Sequence, residues 1–253
     1  MVLNIAAYHF ADIADVTALA ASLRAECQVR GLLGSVLVAG EGINLFLAGD
    51  ETVLRGFLDW LRSDARFGAI QAKESWSTHV PFARLKVKEK REIVPFAGRP
   101  AGIGDARAPA VDARTLARWI AAGHDDAGKP LVLLDTRNRE EIGYGTFQDA
   151  RVLPIDNFND LPAAVEAIRD ELRDATVVSF CTGGIRCEKA APWMRDIGMD
   201  NVLQLEGGIL RYFEEVGGAG YQGGCFVFDE RIALDPELKP LRDEPVTPPP
   251  VQR

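Results

Sequence analysis

A cysteine and an arginine with four residues between them occupy the stretch of this sequence best suited to nucleophilic chemistry. The stretch is Cys181-Thr182-Gly183-Gly184-Ile185-Arg186-Cys187, which follows an apolar run, 176–180, and precedes a helical-looking segment, 188–197. A strand, a tight loop and a helix are therefore expected in that order. Loop N–H groups and the partial positive charge at a helix N-terminus can converge on one anion. If that anion is the Cys181 sulfur, the pKa of the thiol falls and its thiolate is a nucleophile near neutral pH.

The other residues of the loop fit an anion-binding role. Gly183 and Gly184 allow the backbone angles that inward-facing N–H groups need. Arg186 supplies a full positive charge and a forked donor for an anionic group. A cysteine phosphatase loop has one residue more between its cysteine and its arginine, and Cys187 stands in that arginine's place here. The shorter loop suits a smaller group, such as a sulfane sulfur carried on Cys181 as a persulfide.

Cys187 has two interpretations that the sequence leaves open. It is a candidate resolving thiol, which would form a disulfide with an oxidised or persulfidated Cys181. Alternatively, it packs beneath the loop as a small apolar side chain. Cys27 and Cys225 are expected in the core. The four cysteines form no paired C-x-x-C array and the three histidines show no i, i+4 pairing, so no metal site is expected.

Composition bounds the class of protein. The chain has 253 residues, of which 47% are hydrophobic, and its formal net charge is −8. These values suit a globular protein of one large or two ordinary domains. The negative charge argues against a surface that binds nucleic acid throughout, although a local basic patch remains compatible with it. The N-terminus lacks the basic segment of a signal peptide, and no apolar run approaches the ~18 residues of a membrane helix. We therefore expect a cytoplasmic protein with reduced thiols.

Alternating strand and helix patterns fill the first third of the chain. Strands are predicted at 2–10, 33–39, 43–48, 69–75 and 85–93, with helices at 13–30 and from Asp50. The order β-α-β-β-α-β is that of a ferredoxin-like (acylphosphatase-like) α+β domain, which we place at residues 1–96. Gly40-Glu41-Gly42 is interpreted as a hairpin turn rather than a phosphate-binding loop, because a strand rather than a helix follows it.

A row of basic residues lies on the last of these strands. The row consists of Arg84, Lys86, Lys88 and Lys90, which would all project from one face of a strand. Such a row can contact successive phosphates of a nucleic acid. The residues alone favour a plainer interpretation, a solvated face or a sheet edge guarded by lysines. Trp76 and Phe82 lie close by in sequence and could stack on bases, although a packing role is more usual.

A second domain follows a change in composition. Glycine and proline dominate residues 97–110, which predicts a linker. Short apolar strands then alternate with helices over residues 111–220, which predicts an α/β domain with a parallel sheet and helices on both faces. Residues 221–253 are expected to form a C-terminal tail.

Three charged residues are expected to support the loop. Asp135-Thr136-Arg137 ends a buried strand predicted at 130–135, at the edge where open α/β sheets place functional groups. Arg137 and Glu141 are four residues apart and could pair if the segment between them is helical. We interpret Asp135, Arg137 and Glu141 as a structural brace rather than as reacting groups.

Longer motifs connect these features with a known family. The second domain resembles a rhodanese domain through residues 134–137, Glu141, 145–150, the Cys181 loop and 205–208. The wider chain resembles the bacterial tRNA uridine hydroxylases, which contain a rhodanese domain. The motifs that carry this wider resemblance are Glu41-Gly42-Ile43-Asn44, Pro81-Phe82 with Arg84 and Lys86-Val87-Lys88, Glu92-Ile93-Val94, CTGGIRCEKA at 181–190, and Cys225-Phe226-Val227-Phe228-Asp229.

The resemblance implies 5-hydroxylation of the wobble uridine of tRNA, with molecular oxygen as co-substrate and Cys181 at the reaction centre. It implies that the anticodon region of tRNA is bound, and it makes Arg84, Lys86, Lys88 and Lys90 candidate contacts to the RNA backbone. Cys181 would either attack carbon 6 of the uracil ring or carry a persulfide. The alternative function is a sulfurtransferase that uses the same cysteine.

Cofactor expectations follow from what the sequence lacks. No flavin, haem or iron-ligand motif is identifiable, so no metal or organic cofactor is expected. Longer members of the family continue past the last motif into cysteine pairs that resemble a metal site. Residues 234–253 contain no cysteine, and we expect this chain to lack that site.

Overall fold

A computed structural model of the chain describes residues 1–96 and 107–246. These residues form two compact units, and each unit is discontinuous in sequence. The first unit combines Met1–Ile93 with Phe228–Ile232 and the described residues from Lys239 onward. The second unit combines the described residues of Val94–Val227 with Ala233–Leu238. The segment predicted as a tail from residue 221 is therefore shared between the units.

The first unit contains one sheet and two helices among its described residues. In chain order the elements are β1 (Val2–Phe10), α1 (Val16–Val29), β2 (Leu33–Ala39), β3 (Gly42–Gly49), α2 (Glu51–Arg62), β4 (Ala72–Ser77) and β5 (Leu85–Glu89). The sheet order is β4-β1-β3-β2-β5. Only β5 runs parallel to its neighbour, β2. The predicted β-α-β-β-α-β order is confirmed, and β5 extends that sheet at its edge.

Local sequence explains the boundaries of these elements. Gly40 and Glu41 form the two-residue turn between β2 and β3, as the sequence predicted. At Gly42, where φ is +146°, a Cβ would lie 2.1 Å from the carbonyl oxygen of His9, so this position requires glycine. Asp50 caps α2, because its Oδ1 accepts hydrogen bonds from the N–H groups of Thr52 and Val53 at 2.9 and 3.2 Å.

The two faces of this sheet differ in character. Alternate side chains of each strand, such as Leu45, Val36 and Val87, are buried in the core that contains α1 and α2. The opposite face carries polar residues as well as Phe46, which packs against Phe228 of the returning C-terminal segment. Arg231 of the same segment donates a 2.7 Å hydrogen bond from Nη1 to Ser75 Oγ. The second face is thus partly covered by residues far away in sequence.

The second unit is built on a parallel sheet. In chain order its described elements are β6 (Ala110–Val111), α3 (Ala113–Ala122), β7 (Leu131–Asp135), α4 (Arg139–Ile142), β8 (Gly145–Phe147), β9 (Arg151–Val152), α5 (Leu161–Glu166), β10 (Thr176–Phe180), α6 (Cys187–Asp196), β11 (Val202–Leu205), α7 (Gly208–Val216), β12 (Tyr221–Gly223), β13 (Cys225–Phe226) and β14 (Ala233–Leu234). The sheet order is β6-β11-β10-β7-β9, and every pairing in it is parallel. The prediction of an α/β parallel sheet is confirmed.

Several boundaries differ from the sequence prediction. Most of the linker predicted at 97–110 lies outside the described residues, and Ala110 already belongs to β6. One of the helices expected between residues 111 and 220 is short, because α5 ends at Glu166 and a separate 3-10 turn follows at Arg169–Leu172. Residues 221–226 form short strands that pair with β8 and β14 rather than a loose tail. No helix in the described parts of the chain is long and apolar enough to cross a membrane.

Candidate active site

The Cys181 loop lies where the buried strand β10 ends. All five residues of β10 are buried, and only 1% of Cys181 is exposed. The N–H of Gly184 donates to Cys181 Sγ at 3.2 Å, and Gly184 adopts φ +95°. A Cβ placed on Gly183 would meet nothing within 4 Å, so the space beside this glycine is open. The loop therefore directs a backbone donor at the sulfur, as an anion-binding nest does.

The electrostatic surroundings of Cys181 favour its thiolate. Burial by itself would raise the pKa of this thiol. A hydrogen bond with Cys187, the charge of Arg186 and the N–H groups of Arg186 and Gly184 outweigh that effect, and the pKa lies below the ordinary value of cysteine. A buried anion with these donors is a nucleophile near neutral pH.

Cys187 is held in the opposite state. Burial raises the pKa of this thiol well above its ordinary value, and the hydrogen bond with Cys181 and the negative charge there raise it further. Its Sγ lies 3.7 Å from Thr136 Oγ1, and the residue has no exposed surface. With Cys187 protonated and Cys181 a thiolate, both sulfurs take part in one hydrogen bond, because the Cys187 thiol donates and the Cys181 thiolate accepts.

Arg186 is fixed by a carboxylate on another element. Its Nη1 and Nη2 donate to the two carboxylate oxygens of Glu141 at 3.0 and 2.8 Å. Glu141 is 2% exposed, and its Oε2 also accepts from the N–H of Asn138 at 3.1 Å. This forked geometry fixes the orientation of the guanidinium as well as its position. The Arg186 guanidinium also lies 6.0 Å from the Phe158 ring centroid.

Arg137 does not pair with Glu141, the partner that the four-residue spacing made possible. Arg137 Nη2 lies 2.7 Å from Asp135 Oδ2 instead, and both side chains have no exposed surface. The four-residue spacing misled because α4 begins only at Arg139, so Arg137 belongs to the preceding loop rather than to the helix. Asp135 and Glu141 thus serve different arginines, and Arg137 also donates to the carbonyl oxygen of Gly145 at 2.7 Å.

The N-terminus of α7 supports the loop from a second direction. The N–H of Ile209 donates to the carbonyl oxygen of Cys181, and the N–H of Leu210 donates to that of Thr182, both at 3.0 Å. A Cβ on Gly208 would lie 2.5 Å from the carbonyl oxygen of Cys181 and 2.6 Å from the Gly184 nitrogen. Only glycine allows this approach of helix and loop.

Comparison with known proteins places these features in a family. Residues 2–93 match the UPF0176 acylphosphatase-like domain, and residues 116–215 match the rhodanese-like domain. The tRNA uridine(34) hydroxylase of Xanthomonas euvesicatoria is 62% identical over 96% of this chain and 98% of its own length. The chain belongs to the tRNA uridine(34) hydroxylase family. The family member from Xylella fastidiosa is 56% identical over 96% of this chain and 95% of its own length.

Two solved structures each resemble part of this hydroxylase-family chain. A rhodanese-like domain from Anabaena covers 46% of this chain and 79% of its own, with 21% identity and a TM-score of 0.37. A Saccharomyces cerevisiae homologue of single-domain rhodaneses covers 45% of this chain and 84% of its own, with 18% identity and a TM-score of 0.37. The family membership rests on the sequence relatives.

The predicted basic residues of this family member lie in the first unit. Lys86 and Lys88 are exposed on β5, an edge strand, and Arg84 and Lys90 are exposed just beyond its ends. Because Val87 between the two lysines is buried in the core, the lysines project from the opposite face of the sheet.

Sequence reasoning missed the contact that Phe226 makes with the loop. The hydroxyl of Thr182 donates to the carbonyl oxygen of Phe226 at 3.3 Å, and the Phe226 ring packs against Tyr144 with centroids 5.5 Å apart. Phe226 belonged to a motif of the family resemblance, but its sequence carries no local signal for a contact 44 residues away. Trp76, in contrast, packs against the core of the first unit.

Proposed function

We propose that this protein hydroxylates carbon 5 of uridine 34 in tRNA, with molecular oxygen as oxidant and Cys181 at the reaction centre. The observation that carries the proposal is 62% identity to a tRNA uridine(34) hydroxylase over 96% of this chain. The arrangement around Cys181 supports it, because the loop keeps an intact nucleophile with a lowered pKa and a charged partner. A rhodanese loop that serves only as a scaffold would have no need of that electrostatic arrangement.

The proposed role of Cys181 is covalent activation of the uracil ring. Addition of the thiolate to carbon 6 forms an S–C bond and moves the electron pair of the carbon 5–carbon 6 double bond towards the carbonyl oxygen on carbon 4. Carbon 5 then becomes the nucleophile that accepts an oxygen atom. Loss of the proton from carbon 5 restores the double bond and expels the Cys181 thiolate.

The oxygen balance sets a requirement on the reaction. One atom of molecular oxygen enters the product as the hydroxyl group, and the other leaves as water. That second step consumes two electrons and two protons, which an external reductant supplies. Cys181 is regenerated as a thiolate, so the cysteine is not itself the net reductant in this route.

Arg186 and Glu141 are proposed as positioning residues. The guanidinium of Arg186 stabilises the thiolate before attack and after expulsion, and Glu141 keeps the guanidinium in place through two hydrogen bonds. The charge on Arg186 therefore lies beside Cys181 without rearrangement, whether the sulfur is a free thiolate or is bonded to the uracil ring. This is the general advantage of a preorganised site.

We propose that the protein holds the tRNA by its anticodon region. We also propose that it acts in the cytoplasm. Arg84, Lys86, Lys88 and Lys90 are the proposed contacts to RNA phosphates, because they form an exposed basic row on a protein of net charge −8. Sulfurtransferase activity is not favoured, because the similarity to hydroxylases extends over both units rather than over the rhodanese-like residues alone.

The test is nucleoside analysis of tRNA exposed to the purified protein under oxygen-18 gas with a reductant present. We expect 5-hydroxyuridine that carries the heavy isotope with the wild type and none with Cys181→Ala. Cys27→Ala is the matched control, because Cys27 is a fully buried core residue of the first unit. Product formation by Cys181→Ala, or strong sulfur transfer from thiosulfate without any tRNA product, would contradict the proposal.

A second measurement separates the two roles considered for Cys181. RNA that contains 5-fluorouridine at position 34 should form a stable covalent adduct with the wild type, because fluorine blocks the loss of the carbon 5 substituent. Peptide mass analysis should locate that adduct at Cys181. A sulfane-sulfur adduct on active enzyme, with no RNA adduct, would replace the addition route by a persulfide route.

A further inference from the structure

An exposed aromatic side chain of the first unit is not explained by the chemistry at Cys181. Phe228 is 48% exposed, and its ring packs on Phe46 of β3 with centroids 5.9 Å apart and an interplanar angle of 53°. Both residues lie within the first unit. One face of the Phe228 ring is thus supported from within the unit while about half of the side chain meets solvent.

The backbone that carries Phe228 is held firmly. Asp229 and Arg231 form an ion pair of 2.6 Å, and their side chains are only 3% and 7% exposed. Arg231 Nη1 donates to Ser75 Oγ, and the N–H of Glu230 donates to the carbonyl oxygen of Pro81. Buried charges that are paired and hydrogen-bonded define one geometry for the segment. Phe228 is therefore presented on a fixed backbone and not on a loose tail.

The strand register places the basic row on the same face as this aromatic pair. Phe46 stands opposite Ser35, and Ser35 stands opposite Lys86, so these residues form a line across β3, β2 and β5. Adjacent strands are about 4.8 Å apart, which places Lys86 about 10 Å from Phe46 along the sheet. Lys88 lies two residues further along β5, on the same face as Lys86, and both lysines are exposed.

We propose that Phe46 and Phe228, together with Lys86 and Lys88, form a stacking platform for single-stranded RNA, namely the anticodon loop of the tRNA substrate. The inference rests on the proposed function, and it adds the surface that holds the bases. Proteins that bind single-stranded RNA combine aromatic rings on a sheet with cations that follow the backbone. The unpaired bases of an anticodon loop can stack, and their phosphates match the lysines in charge.

The lysines alone would also fit a sheet edge protected against pairing with another chain. The aromatic pair distinguishes the two explanations, because edge protection needs no exposed ring on the sheet face. Edge protection predicts that Phe228 and the lysines are irrelevant to RNA affinity. The platform predicts that they contribute in different ways, by stacking and by charge.

The test measures binding of a fluorescent anticodon stem-loop RNA to the full-length protein by anisotropy at several salt concentrations. Phe228→Ala should weaken binding about 5- to 150-fold, the range for loss of one base stack, with an unchanged dependence of log K on log salt. Lys88→Ala should weaken binding and lower the slope of that dependence by about 0.7 to 0.9. Phe228→Trp should keep most of the affinity.

Matched controls come from the helical side of the same unit. Val29→Ala removes an apolar side chain that is 85% exposed on α1, and Arg62→Ala removes a cation from α2. Both controls should bind like the wild type. If Phe228→Ala fails to fold, Phe228→Leu preserves apolar contact with Phe46 while removing the aromatic face, and it should show the same loss.

Wild-type affinity in Phe228→Ala and Phe228→Leu would overturn the platform, as would equal affinity changes in the helical controls. The outcome for the reaction is separate. Cys181→Ala should bind the stem-loop like the wild type and form no product. Hydroxylation by Cys181→Ala would contradict the proposed function and leave the platform unaffected. Normal hydroxylation and unaltered RNA binding in Phe228→Ala would contradict the platform and leave the proposed function unaffected.

Discussion

At the scale of single residues, two buried cysteines are driven into different protonation states. Cys181 and Cys187 are both buried and share a hydrogen bond, yet the pKa of one falls and that of the other rises. The shared hydrogen bond lowers the pKa of Cys181 and raises that of Cys187, and the charge of Arg186 and the loop N–H groups lower the pKa of Cys181 further. A thiolate at Cys181 and a thiol at Cys187 avoid two adjacent buried negative charges.

The lowered pKa of Cys181 gives a prediction about pH. Alkylation of Cys181 by iodoacetamide should persist to lower pH than alkylation of an ordinary thiol, and Arg186→Gln should raise its midpoint by about one to three units. The thiolate stabilises the folded chain above the ordinary thiol pKa, and this contribution is lost as pH falls through the folded pKa. Mass spectrometry of each cysteine peptide measures the rates.

Cys225 is an internal control for that experiment. Burial raises the pKa of its thiol to about 12, so its alkylation should stay slow throughout the neutral range. Identical pH profiles for Cys181 in the wild type and in Arg186→Gln would show that the guanidinium does not set the state of the sulfur.

At the scale of elements, the reactive loop is held between the end of β10 and the N-terminus of α7. The helix donates two N–H groups to loop carbonyl oxygens, and Gly208 lets it come close enough to do so. The shape of the loop therefore depends on a helix that begins 27 positions after Cys181 in the sequence.

Gly208→Ala should damage both stability and activity. The new Cβ would meet the loop backbone at 2.5 Å, and φ is +68°, so the free energy of unfolding should fall by about 2 to 4 kcal/mol. We expect hydroxylation to be lost and Cys181 alkylation at neutral pH to slow, because the donors around the sulfur are displaced. Urea titration and the alkylation assay measure these effects.

Gly123→Ala is the matched control. Gly123 also has positive φ, +76°, but a Cβ there would meet nothing within 4 Å. We expect a loss of about 1 kcal/mol in unfolding free energy and normal activity. Equal effects of the two substitutions would mean that backbone strain, and not contact with the loop, accounts for the requirement at Gly208.

How much the sequence predicted depends on the distance between interacting residues. The β10–loop–α6 unit, the hairpin at Gly40 and the start of a helix at Asp50 were predicted because each signal lies within a few residues. The Arg186–Glu141 pair joins residues 45 apart, and the local spacing suggested Arg137 for Glu141 instead. Nothing local to Phe228 or Arg231 indicates that they return to the first unit, because tertiary contacts of that kind leave no periodic pattern.

At the scale of the whole molecule, the two units exchange segments of chain. Phe228–Ile232 completes the first unit although it follows nearly all of the second in sequence. Asp243 adds a further connection, because its carboxylate accepts hydrogen bonds from the N–H of Thr78 at 2.8 and 3.0 Å. The first unit therefore depends on residues from both ends of the chain.

Arg231→Met should destabilise the first unit selectively. It leaves Asp229 as a buried unpaired charge and removes the partner of Ser75, at a cost of about 3 to 5 kcal/mol. Hydrogen exchange should become faster in β4 and remain unchanged in β10. Restored protection in β4 is expected for the double variant Asp229→Leu with Arg231→Met, which removes both charges.

Arg242→Met is the control for this experiment. Its ion pair with Glu244 is exposed, with side chains 49% and 67% accessible, so its loss should change exchange very little. Equal acceleration in β4 and β10 for Arg231→Met would indicate that the ion pair supports the entire chain and not one unit.

The long separation between Ser75 and Arg231 has a consequence for how the protein is made. The two residues are 156 positions apart, and ribosomes add about 5 to 20 residues per second, so Ser75 waits roughly eight to thirty seconds for its partner. For most of that interval the nascent first unit has its two helices and five strands but lacks the segment that lies over one sheet face. Translation speed over the intervening codons thus sets how long that face stays uncovered.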